Sequence, residues 1–386
     1  MAKRYFKLPR VQDLNKGQDS VLMLPKKGQH LIVGGPGTGK SVVALLRVIK
    51  CRDENDYIFL VYNRVLEAST KQLLENKLES KTWKWWFFNE VELITNEPVP
   101  KLDKYTPDFD LIISKLKNLN VDKAKSLQII IDEGQDMPPQ FYEAIQYMGI
   151  ENIFVVADQN QRLTEEHSSR KELTDSLGIE TDDVIELTHN YRNSYDIALL
   201  ARHFYTDPAS PATELPPKSK SSIKSPILYE YTAENKMKML ATIIRKFDRN
   251  PSYLIGIIVP NNNVLKKYLY DLNYLINSNS IELDNLAPKI SSYSSDSKEY
   301  IDFGEGGIVV LNSQSVKGLE FDVVFVADIN EFKIINSNFD SMRKSFYVMI
   351  SRAIRQVVLL KEKGKTCDVD QLLPSDENIL KRILSK

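Results

Sequence analysis

Cysteine, histidine and tryptophan are all scarce in this chain of 386 residues, which carries two, four and three of them. Cys51 and Cys367 lie far apart, which argues against a disulfide framework and against a cysteine-based zinc site. The histidines fall in no ligand-like spacing, so the metal that the sequence leaves room for is an ion travelling with a phosphate ligand. An excess of one charge is missing too. Lys+Arg number 51 and Asp+Glu 52, a formal net charge of −1. That argues against a protein that coats nucleic acid by charge alone, though not against a local basic groove. No apolar run approaches the roughly 20 residues of a membrane-spanning helix. The first residues are basic and lack the apolar segment of a secretory signal. These absences lead us to expect a cytoplasmic protein with no membrane partner. The rest, 42% hydrophobic and 27% charged, describes a globular chain with room for two or three domains.

What is present is organised around Gly34-Gly35-Pro36-Gly37-Thr38-Gly39-Lys40-Ser41. An apolar run, Leu31 to Val33, precedes it, and a helix-like run, Val42 to Ile49, follows. This reads as strand, glycine-rich turn and helix, with backbone N–H groups wrapped round a phosphate. Gly35, Pro36, Gly37, Thr38 and Gly39 would form the cradle. Lys40 would reach the β- and γ-phosphates, and Ser41 would offer its hydroxyl to Mg2+. The ligand expected is a nucleoside triphosphate.

Along the chain, buried-type strands read from Tyr57 to Tyr62, Leu127 to Ile131, Asn152 to Ala157 and Val184 to Leu187. Helix-like runs fall at Leu66 to Leu78 and Phe109 to Leu119. Residues at the carboxyl ends of parallel strands are where ligands are met. Asn63 and Arg64 end the first strand. Asp132 and Glu133 end the second, fit to hold a metal and to deprotonate an attacking water. Gln161 follows the third and could sense a γ-phosphate. Gln18, ahead of the loop, either reads a base edge or is an ordinary surface residue. The run Lys81-Thr82-Trp83-Lys84-Trp85-Trp86-Phe87-Phe88 holds every tryptophan and reads equally as a base-stacking surface or an aromatic core. Tyr191 beside Arg192 offers a stacking plane and a cation.

A linker-like stretch from Thr206 to Pro226 is rich in Pro, Ser and Lys. Alternation then resumes, with strands expected at Ile227 to Tyr231, Tyr253 to Val259, Gly307 to Leu311, Asp322 to Ala327 and Gln356 to Leu360. Helices are expected at Glu234 to Phe247, Asn263 to Leu275, Arg343 to Ala353 and Glu377 to Leu384. The stretch Asn277 to Ser297 reads mostly as loop. The pattern calls for an α/β chain with a second, mostly parallel sheet.

Taken in order, Gly34 to Ser41, Val61-Tyr-Asn-Arg64, Asp132-Glu-Gly-Gln-Asp136, Ala157-Asp-Gln-Asn-Gln161, Asn190-Tyr-Arg192, Val316-Lys-Gly-Leu-Glu-Phe-Asp322 and Tyr347 to Ala353 resemble the motifs of UvrD/Rep-type superfamily 1 helicases. The resemblance spans residues 13–361. It implies two RecA-like P-loop domains, 1–187 and 188–386, with mostly parallel sheets and an ATP cleft between them. It also implies an ATP-dependent translocase or helicase stepping 3′ to 5′ on single-stranded DNA, or else on RNA. Gln18 and Tyr191 would hold adenine, Glu320 the ribose, and Gly318 would line the nucleotide site. Ser41 and Asp132 would bind Mg2+, and Glu133 would be the general base. Lys40, Gln161, Arg192 and Arg352 would act on the γ-phosphate, the last two as arginine fingers. Asn63, Arg64, Thr82, Trp83 and Gln314 would touch the strand.

The chain departs from that pattern in places. The residues after Gln161 lack the family's stacking aromatic, Val42 stands where arginine is frequent, and Asn312 and Gln314 replace a threonine and a histidine. The large insertions of full-size members also have no room. This is nearly a bare motor core, which gives a second reading: a nucleic-acid-stimulated ATPase switch in a larger complex, with a protein partner and little unwinding of its own. A small-molecule kinase would leave the later motifs unexplained.

Overall fold

Successive residues of a buried strand face opposite sides of a sheet, so a strand covered on both faces is apolar along most of its length. The chain satisfies this rule twice. The computed structural model describes residues 8–51, 57–73, 79–104, 106–119, 127–161, 167–207, 212–218, 225–278, 280–285, 287–293 and 302–385. They divide into an N-terminal unit, 8–188 with 207 and 212–213, and a C-terminal unit, 189–206 with 214–385.

The N-terminal unit runs α1 (Lys16–Met23), β1 (Gln29–Gly34), α2 (Lys40–Cys51), β2 (Tyr57–Val61), α3 (Arg64–Leu73), β3 (Ser80–Thr82), α4 (Trp83–Thr95), α5 (Phe109–Asn118), β4 (Gln128–Ile131), α6 (Pro139–Tyr147), β5 (Asn152–Ala157), α7 (Arg170–Leu177) and β6 (Ile185–Leu187). Its strands form a six-stranded sheet in the order β3-β2-β4-β5-β1-β6. Every pairing is parallel. Ile32, Phe59, Val61, Ile130, Phe154 and Val156 face α2 through Val43, Ala44 and Val48. Leu31, Val33, Leu60, Ile129, Ile131 and Val155 pack on the other side with Trp86 and Phe87 of α4, Ile112 of α5 and Phe141 of α6.

The C-terminal unit continues with α8 (Tyr195–His203), β7 (Ile227–Tyr231), α9 (Lys236–Asp248), β8 (Leu254–Val259), α10 (Asn262–Asn277), β9 (Ile290–Tyr293), β10 (Gly307–Asn312), β11 (Phe321–Val326), α11 (Phe339–Ser351), β12 (Ala353–Glu362) and β13 (Lys381–Leu384). Its seven-stranded sheet has the order β13-β7-β12-β11-β8-β10-β9, again parallel at every pairing. The expected α/β architecture with mostly parallel sheets is therefore the one observed.

Some expected elements change. The helix expected over Glu377 to Leu384 is instead the edge strand β13, paired with β7 through Lys381 to Leu384. The stretch expected to be loop from Asn277 to Ser297 contains β9, paired with β10. β3 is a strand that the sequence pattern does not announce. The helix-like run at Leu66 to Leu78 becomes α3, and its end at 74–78 lies outside the described residues, as do 162–166 and parts of the linker-like stretch and of the 277–297 run.

Candidate functional site

β1 delivers the chain directly into the glycine loop, which folds round one acceptor. The Gly35 carbonyl takes Thr38 Oγ1 at 2.8 Å and Lys40 Nζ at 2.7 Å. Gly37 and Gly39 sit at φ 75° and 86°, where a side chain is disfavoured. At Gly39 the need is also steric, because a Cβ would lie 2.2 Å from Gln18 Nε2. That amide donates to Thr38 O at 3.0 Å, while its oxygen accepts from Asn15 N at 3.2 Å. Gln18, buried on α1, thus braces the loop. α2 starts at Lys40, so its first N–H groups and the positive end of its dipole face the loop and could hold a phosphate.

Three neighbouring strands, β1, β5 and β4, bring the remaining groups of this unit to their carboxyl ends. Lys40 Nζ lies 3.5 Å from Asp158 Oδ2, and both side chains are buried. Gln161 Nε2 donates to the same oxygen at 2.5 Å. Asp158 N donates to Gln135 Oε1 at 2.8 Å, and Gln135 Nε2 donates to Glu133 Oε2 at 2.7 Å. An ion pair and two hydrogen bonds therefore join Lys40 through Asp158 and Gln135 to Glu133. Asp158 and Gln135 are new members of the site. Their signal in the sequence was their place just beyond β5 and β4.

Glu133 itself occupies the left-handed region, at φ 55° and ψ 44°, a strained backbone of the kind that clusters at working sites. Its N–H donates to Asp132 Oδ1 at 3.0 Å. Burial, then the Glu133 carboxylate, push the Asp132 carboxyl up to about 7, against the pull of a Ser41 hydroxyl bond and Lys40. Ser41 and Asp132 thus meet, and a hydroxyl beside a carboxylate short of positive charge fits a hard divalent cation such as Mg2+. Among the described residues no cluster of three His, Cys, Asp or Glu could hold a metal alone, so such an ion would need ligand oxygens as well.

In the C-terminal unit the candidate residues gather at the amino ends of β11 and β12. Asn190 Oδ1 accepts from Arg192 N at 3.0 Å and Asn193 N at 3.1 Å. Asn193 Nδ2 donates to Ser351 O at 3.1 Å and Ala353 O at 2.7 Å, straddling Arg352. The two arginines thus share one hydrogen-bonded frame, in which Asn193 was missed by sequence reasoning. Arg192 is ion-paired with Glu320, so these two residues, expected to serve different parts of a nucleotide, hold each other. Arg352 is 1% exposed, with Nε donating to Val348 O at 3.2 Å. Tyr191 is 58% exposed and stacks on His189. Gly318, at φ 76°, makes the turn ahead of Glu320.

The strand-contact candidates divide. Asn63 Oδ1 caps α3 by accepting from Leu66 N at 2.9 Å, so its amide is engaged in structure. Arg64 and Thr82 line an open groove of about 480 Å³ with Lys71, Lys81 and Trp85. Trp83 does not join them. It is 3% exposed, its ring 5.2 Å from that of Phe141, because α4 turns Trp83, Trp86, Phe87 and Val91 inward at helical spacing. The exposed ring is Trp85, with Lys81 Nζ 5.2 Å from its centroid. Gln314 lies exposed in the turn after β10.

Residues 27–224 match the Schlafen group 3, DNA/RNA helicase domain, and residues 307–360 match the UvrD-like helicase C-terminal domain. Among solved structures, the C-terminal domain of a possible DNA helicase from Lactobacillus plantarum WCFS1 is similar at 15% identity and a TM-score of 0.34, over 50% of this chain and 98% of that one. No curated protein matches. With its glycine loop, its Asp-Glu pair and more than half its length inside the first of these matches, the chain belongs to the Schlafen group 3 DNA/RNA helicase domain family.

Proposed function

We propose that this protein hydrolyses ATP and couples the hydrolysis to movement on a single strand of DNA or RNA, 3′ to 5′ as in the helicases it resembles. The observation that carries the reading is the buried chain from Lys40 through Asp158 and Gln135 to Glu133, set beside a glycine loop that opens a helix. ATP binds with its phosphates on the loop and the start of α2, and Lys40 holds the β- and γ-oxygens. Ser41 and Asp132 would hold Mg2+, which when bound would neutralise phosphate charge. A water attacks the γ-phosphorus in line with the bridging oxygen. The new O–P bond forms, the γ–β bridge breaks, ADP departs, and Glu133 takes the water's proton. Gln135 keeps that carboxylate aimed. Arg192 and Arg352 act as cations for the γ-phosphate, Arg192 exchanging Glu320 for it. Loss of the γ-phosphate returns Arg192 to Glu320, and this exchange couples hydrolysis to conformational change. The Arg64, Lys81 and Trp85 groove holds the strand by phosphate contact and stacking.

ATPase rates measured with and without single-stranded DNA or RNA test the proposal. Lys40→Ala and Glu133→Gln should both abolish turnover, the second while still binding ATP. Arg352→Ala should lose about 10³-fold or more in turnover, with ATP affinity less affected. Wild-type turnover by Arg352→Ala would remove that residue from the chemistry.

A further inference from the structure

α10 buries Val264, Leu265, Tyr268, Leu272 and Leu275 against its sheet and turns a different row outward. Asn262, Lys266, Tyr270 and Tyr274 follow at four-residue steps, so they form one line along the helix. Tyr270 is 71% and Tyr274 54% exposed. Their rings lie 15° from parallel with centroids 6.5 Å apart. Single exposed rings are ordinary on a protein surface, but an aligned pair is a platform. Lys266 and Lys267 flank it one turn earlier, and neither pairs with a carboxylate among the described residues. The acid on the same helix, Asp271, is already taken by Lys236 at 3.0 Å.

The line also leads somewhere. At its start, Asn262 Oδ1 accepts from Asn312 Nδ2 at 2.9 Å, and Asn312 closes β10 just ahead of Gln314. From Asn262 to Tyr274 the helix rises about 18 Å, room for several nucleotides. Paired rings accept any base, ammonium groups on flexible stems follow a phosphate backbone, and lysine is a poor component of a protein–protein core. We infer that this ridge is a second contact for a single nucleic-acid strand, with unpaired bases stacked on Tyr270 and Tyr274 and phosphates on Lys266 and Lys267. The inference rests on the nucleic-acid reading above and extends it to a helix of the C-terminal unit.

Fluorescence anisotropy of labelled oligothymidylate and oligouridylate against the full chain tests it. Tyr270→Ala/Tyr274→Ala should weaken binding by about 5- to 150-fold for each base stacked, while Tyr270→Phe/Tyr274→Phe, which keeps the rings, binds nearly as wild type. Lys266→Gln/Lys267→Gln should lower the salt dependence by about one in log–log slope for each lysine. A 4-thiothymidine strand should photo-crosslink to α10. Thermal unfolding of each variant separates lost contact from lost fold. A wild-type protein that binds neither strand would sink the functional reading and the ridge together. Wild-type binding left unchanged by the alanine pair would sink the ridge alone. A loss that phenylalanine does not restore, in a folded variant, would equally overturn it.

Discussion

Glu133 shows what a single residue carries here. Its left-handed backbone and its bond from Gln135 aim one carboxylate, and neither feature is visible in the letters Asp-Glu-Gly-Gln-Asp. Replacing Gln135 with Ala leaves the acid in place but loosens it, so kcat should fall by about 10- to 100-fold with KM for ATP nearly unchanged. A steady-state ATP titration reads that split. The tryptophans make the same point from the other direction. Trp83→Ala opens the core against Phe87 and Phe141 and should cost about 3–5 kcal/mol in denaturant unfolding. Trp85→Ala should leave stability alone and weaken strand binding by about 1–3 kcal/mol. Trp83, Trp86, Phe87 and Val91 share one inward helical face, a spacing that the sequence reading passed over when it set Trp83 on the strand.

Elements were legible where both faces of a strand are buried, because β1, β2, β4, β5, β8, β10 and β11 each hold at least three consecutive apolar residues. The edges were not. β3 is three residues long with a lysine at its centre, β9 is Ile-Ser-Ser-Tyr, and β13 has apolar residues at a spacing that suits a helix equally well. Each owes its conformation to a neighbour already in place, which is tertiary information. The glycine loop was legible because backbone geometry demands its residue types. Asp158 was marked only by its place just beyond β5, and Asn193 not at all, because its bonds to Ser351 and Ala353 reach far along the sequence. The amino end of β1 offers a test at this scale. His30 is half-buried, and burial followed by the nearby Arg47 charge lower its pKa. At pH above its ordinary value of 6.5 the ring is neutral both folded and unfolded. As pH falls toward the lower folded value, the unfolded chain takes up the proton first, so the N-terminal unit loses stability in acid. Thermal melts from pH 7.5 to 5 should show that slope, and His30→Gln should flatten it.

For the molecule as a whole, a net charge of −1 means that affinity for a strand must come from local cations rather than from an overall field. Binding should therefore weaken steeply with salt. Between β3 and β4 the described residues hold only α4 and α5, and between β8 and β10 only α10 and β9. Among the described residues no further domain stands there to part a duplex. The purified protein should hydrolyse ATP faster with a single strand present yet displace a long paired strand poorly, as a fluorescent strand-displacement assay would record. Both sheets also finish in brief margins: β3 and β6 span three residues each, and β13 leads with Lys381 and Arg382. Such short or charged borders offer little template for another copy to zip onto. A concentrated solution of this protein should consequently resist fibril growth, although each of its sheets is parallel throughout.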